Sequence, residues 1–313
     1  MIAVGGENLM DMIQSGTQNG NMLFEAVPGG SPYNVAMAIG RQGVDITYLT
    51  PISSDSNGDQ LAAKLEASKV ILSGGRVTQP TSLAMVTIDE GLPSYSFYRE
   101  GTAERALSQD LLRSQITPSH LVLHIGSLAL AGGEDAALWE ELAHDCKARN
   151  MYVSLDPNVR PSLIADPAGY RDRIHRLLAI ADIVKLSDED LLWLYEGMNE
   201  EEALIALRRA TTAEILILTK GGDGSLCWHD GAFHHRPASA ITKLQDAVGA
   251  GDTFMASLLV WLVKTQSLSS LSSLDLTQKQ RLQDYAGFAA ARNCEQQGCN
   301  PPWAADLPET AYL

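Results

Sequence analysis

Asp246-Ala247-Val248-Gly249-Ala250-Gly251-Asp252-Thr253-Phe254 is the stretch from which the rest of this 313-residue chain can be read. Its glycines precede an apolar helical run, 254–264. Gly249 and Gly251 permit backbone conformations and close approaches that other residues resist. Successive N–H groups at a helix start form an anion site, and the helix dipole reinforces it. Asp252 falls in the first helical turn, beside that site. An aspartate there is also a favoured cap, so local features leave two readings open. Phosphoryl transfer is the sharper one. It needs in-line positioning, stabilised charge on the phosphoryl oxygens and a base for the attacking hydroxyl. A backbone anion hole next to a carboxylate supplies the last two.

Upstream, short apolar runs at 2–4, 121–125, 152–155, 183–186 and 215–218 stop at small or polar residues. Segments of helical periodicity, such as 135–149 and 200–210, lie between them. This alternation predicts an α/β fold with a mostly parallel sheet covered on both faces. Ligands in such folds sit beyond the carboxyl ends of the strands, at 5–11, 126–127, 156–160, 187–190 and 219–224. Two stretches alternate differently. Residues 10–27 read as a hairpin around Asn19-Gly20, and 82–99 as a hairpin around Asp89-Glu90-Gly91. They predict a small β lid, about 11–28 and 81–105, on a single domain spanning 1–313. Edge strands of the main sheet are the alternative. No GxxxxGK[ST] loop is present, and Gly221-Gly222-Asp223-Gly224 does not complete a GxGxxG.

Composition narrows the partners. Lys and Arg number 23 against 38 Asp and Glu, a net charge of −15. That balance argues against nucleic acid or an anionic membrane as partner. It leaves room for a phosphate held locally by backbone N–H groups and a metal ion. Cys146, Cys227, Cys294 and Cys299 form no CxxC pair, which predicts a reduced, cytoplasmic protein without structural zinc. Residues 2–4 read as a strand with no basic segment before them. The longest apolar run, 254–263, is shorter than the ~20 residues that span a bilayer, so it reads as a buried helix.

The stretch from Asp246 to Asp252 resembles the DTxGAGD signature of the PfkB carbohydrate kinases, the ribokinase family. Gly29-Gly30-Ser31-Pro32-Tyr33-Asn34-Val35-Ala36, with Gly40 and Gly43, resembles the family's GGxxxNxAxxxxxLG pattern. The likeness runs from Gly6 to Pro308 and is strongest to bacterial fructokinases. Gly6-Glu7-Asn8-Leu9-Met10-Asp11 resembles their GExLxD, and the segment from Phe97 to Arg105 their FYRxxTADR. Asp156-Pro157-Asn158-Val159-Arg160 resembles DPNxR, and the segment from Lys185 to Asp190 KxSxEE. Asn293-Cys294 with Gly298, Pro301 and Pro302 resembles NCxxxGAxPP. Some positions depart from the pattern. Asp190 stands where the family has Glu, Lys220 where many relatives are uncharged, and Cys299-Asn300 where Ala-Asp is usual.

The resemblance implies a ribokinase-like three-layer α/β/α fold and an ATP-dependent sugar kinase. D-fructose is the expected acceptor, with 2-keto-3-deoxygluconate, ribose or a nucleoside as alternatives and a non-catalytic sensor as a third reading. Asp252 would be the base, with Gly249, Ala250 and Gly251 forming the anion hole through the N–H groups of 250–252. Asp11 and Asn34 would bond sugar hydroxyls, Gly29 and Gly30 would allow close approach, and Arg99 would close over the sugar from the lid. Asn158 and Arg160 would face the cleft. Ser187, Thr219, Lys220, Gly221, Gly222, Gly224 and Asn293 would border the nucleotide. Mg²⁺ would come with ATP, with Asp190 acting on it through water. Asp246 would hold K⁺ or serve as a plain structural carboxylate. The lid edges suit a homodimer.

Overall fold

Residues 1–89 and 92–308 are described by a computed structural model, the positions 88–89 and 92–95 by their backbone alone. The chain opens with β1 (Ile2–Val4), β2 (Leu9–Gln18), β3 (Asn21–Gly29) and α1 (Ser31–Arg41). Next come β4 (Ile46–Tyr48), β5 (Ile52–Ser53), α2 (Ser56–Ala67), β6 (Ile71–Leu72), β7 (Arg76–Val77), β8 (Ser82–Asp89) and β9 (Leu92–Tyr98). The middle holds α3 (Gln109–Gln115), β10 (Val122–Gly126), α4 (Glu134–Ala148), β11 (Tyr152–Asp156), α5 (Pro167–Ile180), β12 (Ile183–Ser187) and α6 (Asp188–Leu194). It continues through α7 (Glu200–Ala210), β13 (Ile215–Thr219), β14 (Ser225–His229), β15 (Ala232–Arg236), α8 (Ala250–Lys264) and α9 (Leu276–Cys294).

Nine strands form one sheet in the order β15-β14-β13-β12-β11-β10-β1-β4-β6, with antiparallel pairing only at β13–β14–β15. Period-two alternation sorts the side chains between two cores. In β13, Ile215 and Ile217 join the core with α1, α2, α8 and α9. Leu216 and Leu218 join the core with α3, α4, α5, α6 and α7. The result is the expected three-layer α/β/α arrangement. The strand order reverses at β1, between β4 and β10, which opens a crevice at the carboxyl ends there.

The expected buried helix is α8, whose residues 252–262 are buried on every face. Among the described residues no single helix is long and apolar enough to cross a membrane. The two hairpins form a sheet of their own, β3-β2-β8-β9, rather than an edge of the large one. Asn19 and Gly20 both have positive φ, 52° and 77°, as a tight two-residue hairpin turn requires. Glu90-Gly91, at the tip of the second hairpin, lie outside the described residues.

Candidate active site

Asp252 lies in the first turn of α8, and its carboxylate does not cap its own helix. The N-cap is Gly249 at φ 75°, where a β-carbon would lie 2.3 Å from Cys299 Sγ. Only glycine satisfies both the backbone angle and that space. The Asp252 carboxylate turns instead to α1, from the other end of the chain. Ser31 Oγ donates to Oδ1 at 2.7 Å and Asn34 Nδ2 donates to Oδ2 at 2.8 Å. Ser31 and Asn34 are three residues apart, so one face of α1 presents both. Asn158 Nδ2, from the loop after β11, lies 3.5 Å from Oδ1. The capping reading of Asp252 is thereby set aside. Asn34, expected on the sugar, spends its amide donor on the carboxylate, and its carbonyl oxygen is buried without a partner.

Of the three N–H groups expected to form an anion hole, one is already bonded within the chain. Ala250 N–H donates to Ala247 O at 3.2 Å, whereas Gly251 and Asp252, as first-turn residues, have no intrahelical acceptor.

Beneath this turn lies a polar column in the sheet. Lys185 Nζ on β12 donates to Asp156 Oδ2 on β11 at 2.8 Å, and both side chains are buried. Burial raises the Asp156 carboxyl to about 6, with Lys185 opposing. Beyond it, His124 Nδ1 pairs with Ser154 Oγ at 3.0 Å. Burial foremost, then Lys185, pushes that imidazole down to about 3, so it is neutral.

Asp11 on β2 faces the site from the small sheet. A β-carbon on Gly29 would lie 2.2 Å from Asp11 Oδ2, so that glycine makes room for the carboxylate. A β-carbon on Gly30 would likewise meet Glu7 O at 2.6 Å. Burial raises the Asp11 carboxyl to about 6, and the Arg160 guanidinium opposes it. Arg160 is exposed and donates to Val159 O at 3.0 Å and Asn158 O at 3.3 Å. Asn158 and Arg160 thus reach the same cleft as Asp11.

Arg99 does not close over the cleft. Its guanidinium makes a two-point bridge to Glu104, at 2.6 and 3.0 Å, and a bond to Leu128 O at 3.2 Å. Both side chains of this pair are buried, 10% and 2% exposed. It is a strut at the root of the small sheet, with its charge neutralised.

The nucleotide-side residues divide. Ser187 and Thr219 pair across β12 and β13 at the carboxyl ends. Gly221, Gly222 and Gly224 form the turn beyond, with open space around the first two. Gly224 is packed against the Arg236 carbonyl. Lys220 points away, its Nζ bonded to both oxygens of Glu200 at 2.8 Å. Asn293 is fully buried. It donates to Val248 O at 2.8 Å and accepts from Asn300 N at 2.9 Å, so it braces the glycine loop and is closed to nucleotide. Asp246 closes the same loop, accepting from Val248 N and Gly298 N, each at 3.0 Å. Asp190 accepts from Val159 N at 2.7 Å and Ser187 N at 3.1 Å. It clamps the Asn158–Arg160 loop to α6, and each of its oxygens keeps a second lone pair.

Among the described residues no cluster of three His, Cys, Asp or Glu could cage a bare metal ion. A hydrated divalent ion would find acceptors in Asp190 and in Asp156 Oδ1, which is buried without a donor.

Ser31, Lys185 and Glu7 sit in motifs the sequence displays, yet nothing local assigned them a role. Glu7 is buried below the cleft and accepts from Ser31 N at 3.0 Å and Ala129 N at 3.3 Å. The signals were a serine between a glycine pair and a helix, and a lysine inside an apolar parallel strand.

This carboxylate, anion hole and strand-end cleft define a phosphotransferase that acts on a hydroxyl. The sequence matches the pfkB family carbohydrate kinase pattern over residues 2–274. The chain belongs to the pfkB family of carbohydrate kinases. A fructokinase of Rhizobium leguminosarum bv. trifolii is 35% identical over 278 residues, covering 88% of this chain and 84% of that protein. The fructokinase of Xylella fastidiosa with bound ATP superposes with a TM-score of 0.85 at 25% identity, covering 98% of this chain and 94% of the other. The fructokinase of Vibrio cholerae O395 with fructose, ADP and calcium ion gives 0.80 at 25% identity, covering 95% and 94%.

Proposed function

We propose that the protein transfers the γ-phosphoryl group of ATP to D-fructose, giving fructose 6-phosphate and ADP. The observation that carries this reading is the Asp252 carboxylate, held by Ser31 and Asn34 beside the free N–H groups of α8. Asp252 takes the proton of the C6 hydroxyl as that oxygen bonds the γ-phosphorus. The bond from the γ-phosphorus to the bridging oxygen breaks, and its electron pair leaves on ADP. Gly251 and Asp252 N–H groups stabilise charge on the transferring group. Asp11 orients the sugar by accepting its hydroxyls, and Asn158 and Arg160 line the opposite wall. Mg²⁺ carried by ATP supplies charge neutralisation across the phosphates, and Asp190 with Asp156 Oδ1 would hold its waters. Asp246 is the residue for a K⁺ ion.

Arg99 offers no charge to an acidic acceptor, because Glu104 consumes it. The test is ADP release with ATP, Mg²⁺ and a panel of fructose, ribose, glucose, 2-keto-3-deoxygluconate and a nucleoside. Highest kcat/KM with fructose supports the reading. Preference for 2-keto-3-deoxygluconate overturns the acceptor, and binding without any turnover overturns catalysis.

The small sheet serves as a lid and as the dimer face. Ile13, Met22, Leu23 and Tyr98 on its strands are exposed, from 41% to 61%. A monomer by light scattering at micromolar concentration would refute the dimer.

A further inference from the structure

Lys185 stands in the middle of an otherwise apolar parallel strand, with its side chain 5% exposed. It follows Ile183 by two residues, so it shares the sheet face that packs on α8. An ammonium has three donors, and this one meets Asp156 Oδ2 alone among the described residues. Its Nζ lies 3.1 Å from the point a β-carbon on Gly251 would occupy. The missing carbon lets the ammonium rise beneath the first turn of α8.

That position is costly for a purely structural ion pair. Burying a charge is costly, and the α8 N-terminus is itself the positive end of a helix. Asp156 does not close the pair either, because its Oδ1 has no donor. A fixed cation with donors to spare, next to free backbone N–H groups, suits an anion that arrives and leaves.

We propose that Lys185, held by Asp156, is a further phosphoryl-binding residue, donating to an oxygen of the transferring group beside Gly251 and Asp252. This rests on the kinase reading above, which the wild-type protein tests by itself. Lys185→Met alone strands a buried carboxylate. The decisive comparison is therefore wild type against Lys185→Gln, whose amide can still donate to Asp156 without the charge, and against Asp156→Asn/Lys185→Met, which leaves neither charge of the pair. Each is assayed for kcat, for KM of ATP, and for binding of ADP with aluminium fluoride, a mimic of the transferring phosphoryl group. Loss of the ammonium is expected to lower kcat about a hundredfold in both variants. Binding of the mimic should weaken in parallel, with KM for ATP changed less than about threefold. Wild-type kcat and wild-type mimic affinity in Lys185→Gln would overturn the proposal and leave Lys185 as a charge partner for Asp156. A wild type that phosphorylates no sugar would overturn the kinase reading, and this proposal with it.

Discussion

Ser31 and Asn34 set the position of the Asp252 carboxylate, so the base depends on two residues more than 200 positions away in sequence. Ser31→Ala removes one donor. The loss of one hydrogen bond, about 1 kcal/mol, should lower kcat roughly fivefold with little change in either KM. Ser31→Thr should recover most of it. An unchanged kcat in steady-state assays of Ser31→Ala would show that Asn34 alone suffices. Asp11 gives a pH prediction. Its carboxyl titrates near 6 in the free protein, raised by burial. Only the ionised form is a pure acceptor, so KM for the sugar should rise as pH falls below about 6. In Asp11→Asn, KM should be higher and nearly flat across that range.

At the scale of elements, the loop after β1 is tied to α1 and to the segment after β10 through Glu7. Burial pushes its carboxyl up to about 7, with Arg99 opposing and Glu104 adding. Between about 4.5 and 7 the folded protein keeps a proton that the unfolded chain releases. Stability should therefore fall as pH rises through that window and level off above it, by about 3 kcal/mol from this residue. Glu7→Gln should flatten this part of the profile in thermal melts, leaving the slope due to Asp11 and Asp156. The Arg99–Glu104 strut ties the small sheet to the body. Arg99→Met strands Glu104 in a buried site and should cost about 3–5 kcal/mol. A melting temperature within a degree of wild type would contradict the strut.

The whole molecule was legible in the sequence where a pattern is local and repeated. The unbroken apolar run Ile215–Leu218 marks a strand buried on both faces, and Asn19-Gly20 marks a hairpin, without any distant partner. The glycine loop marked the start of α8 for the same reason. What stayed hidden is set by contacts between remote segments. Asn293 looks like a nucleotide residue in its motif but is spent on Val248 and Asn300. Arg99 looks free until Glu104 folds back on it five residues later. Lys185 is one lysine in an apolar run until Gly251 comes to lie above it. The central claim is that Asp252 is the base of a sugar kinase, and the most direct test is turnover of fructose and ATP by wild type and Asp252→Asn. The near-isosteric change should leave thermal stability almost unaltered and lower kcat by about a thousandfold or more. A purified, folded Asp252→Asn protein that turns over within tenfold of wild type would contradict it.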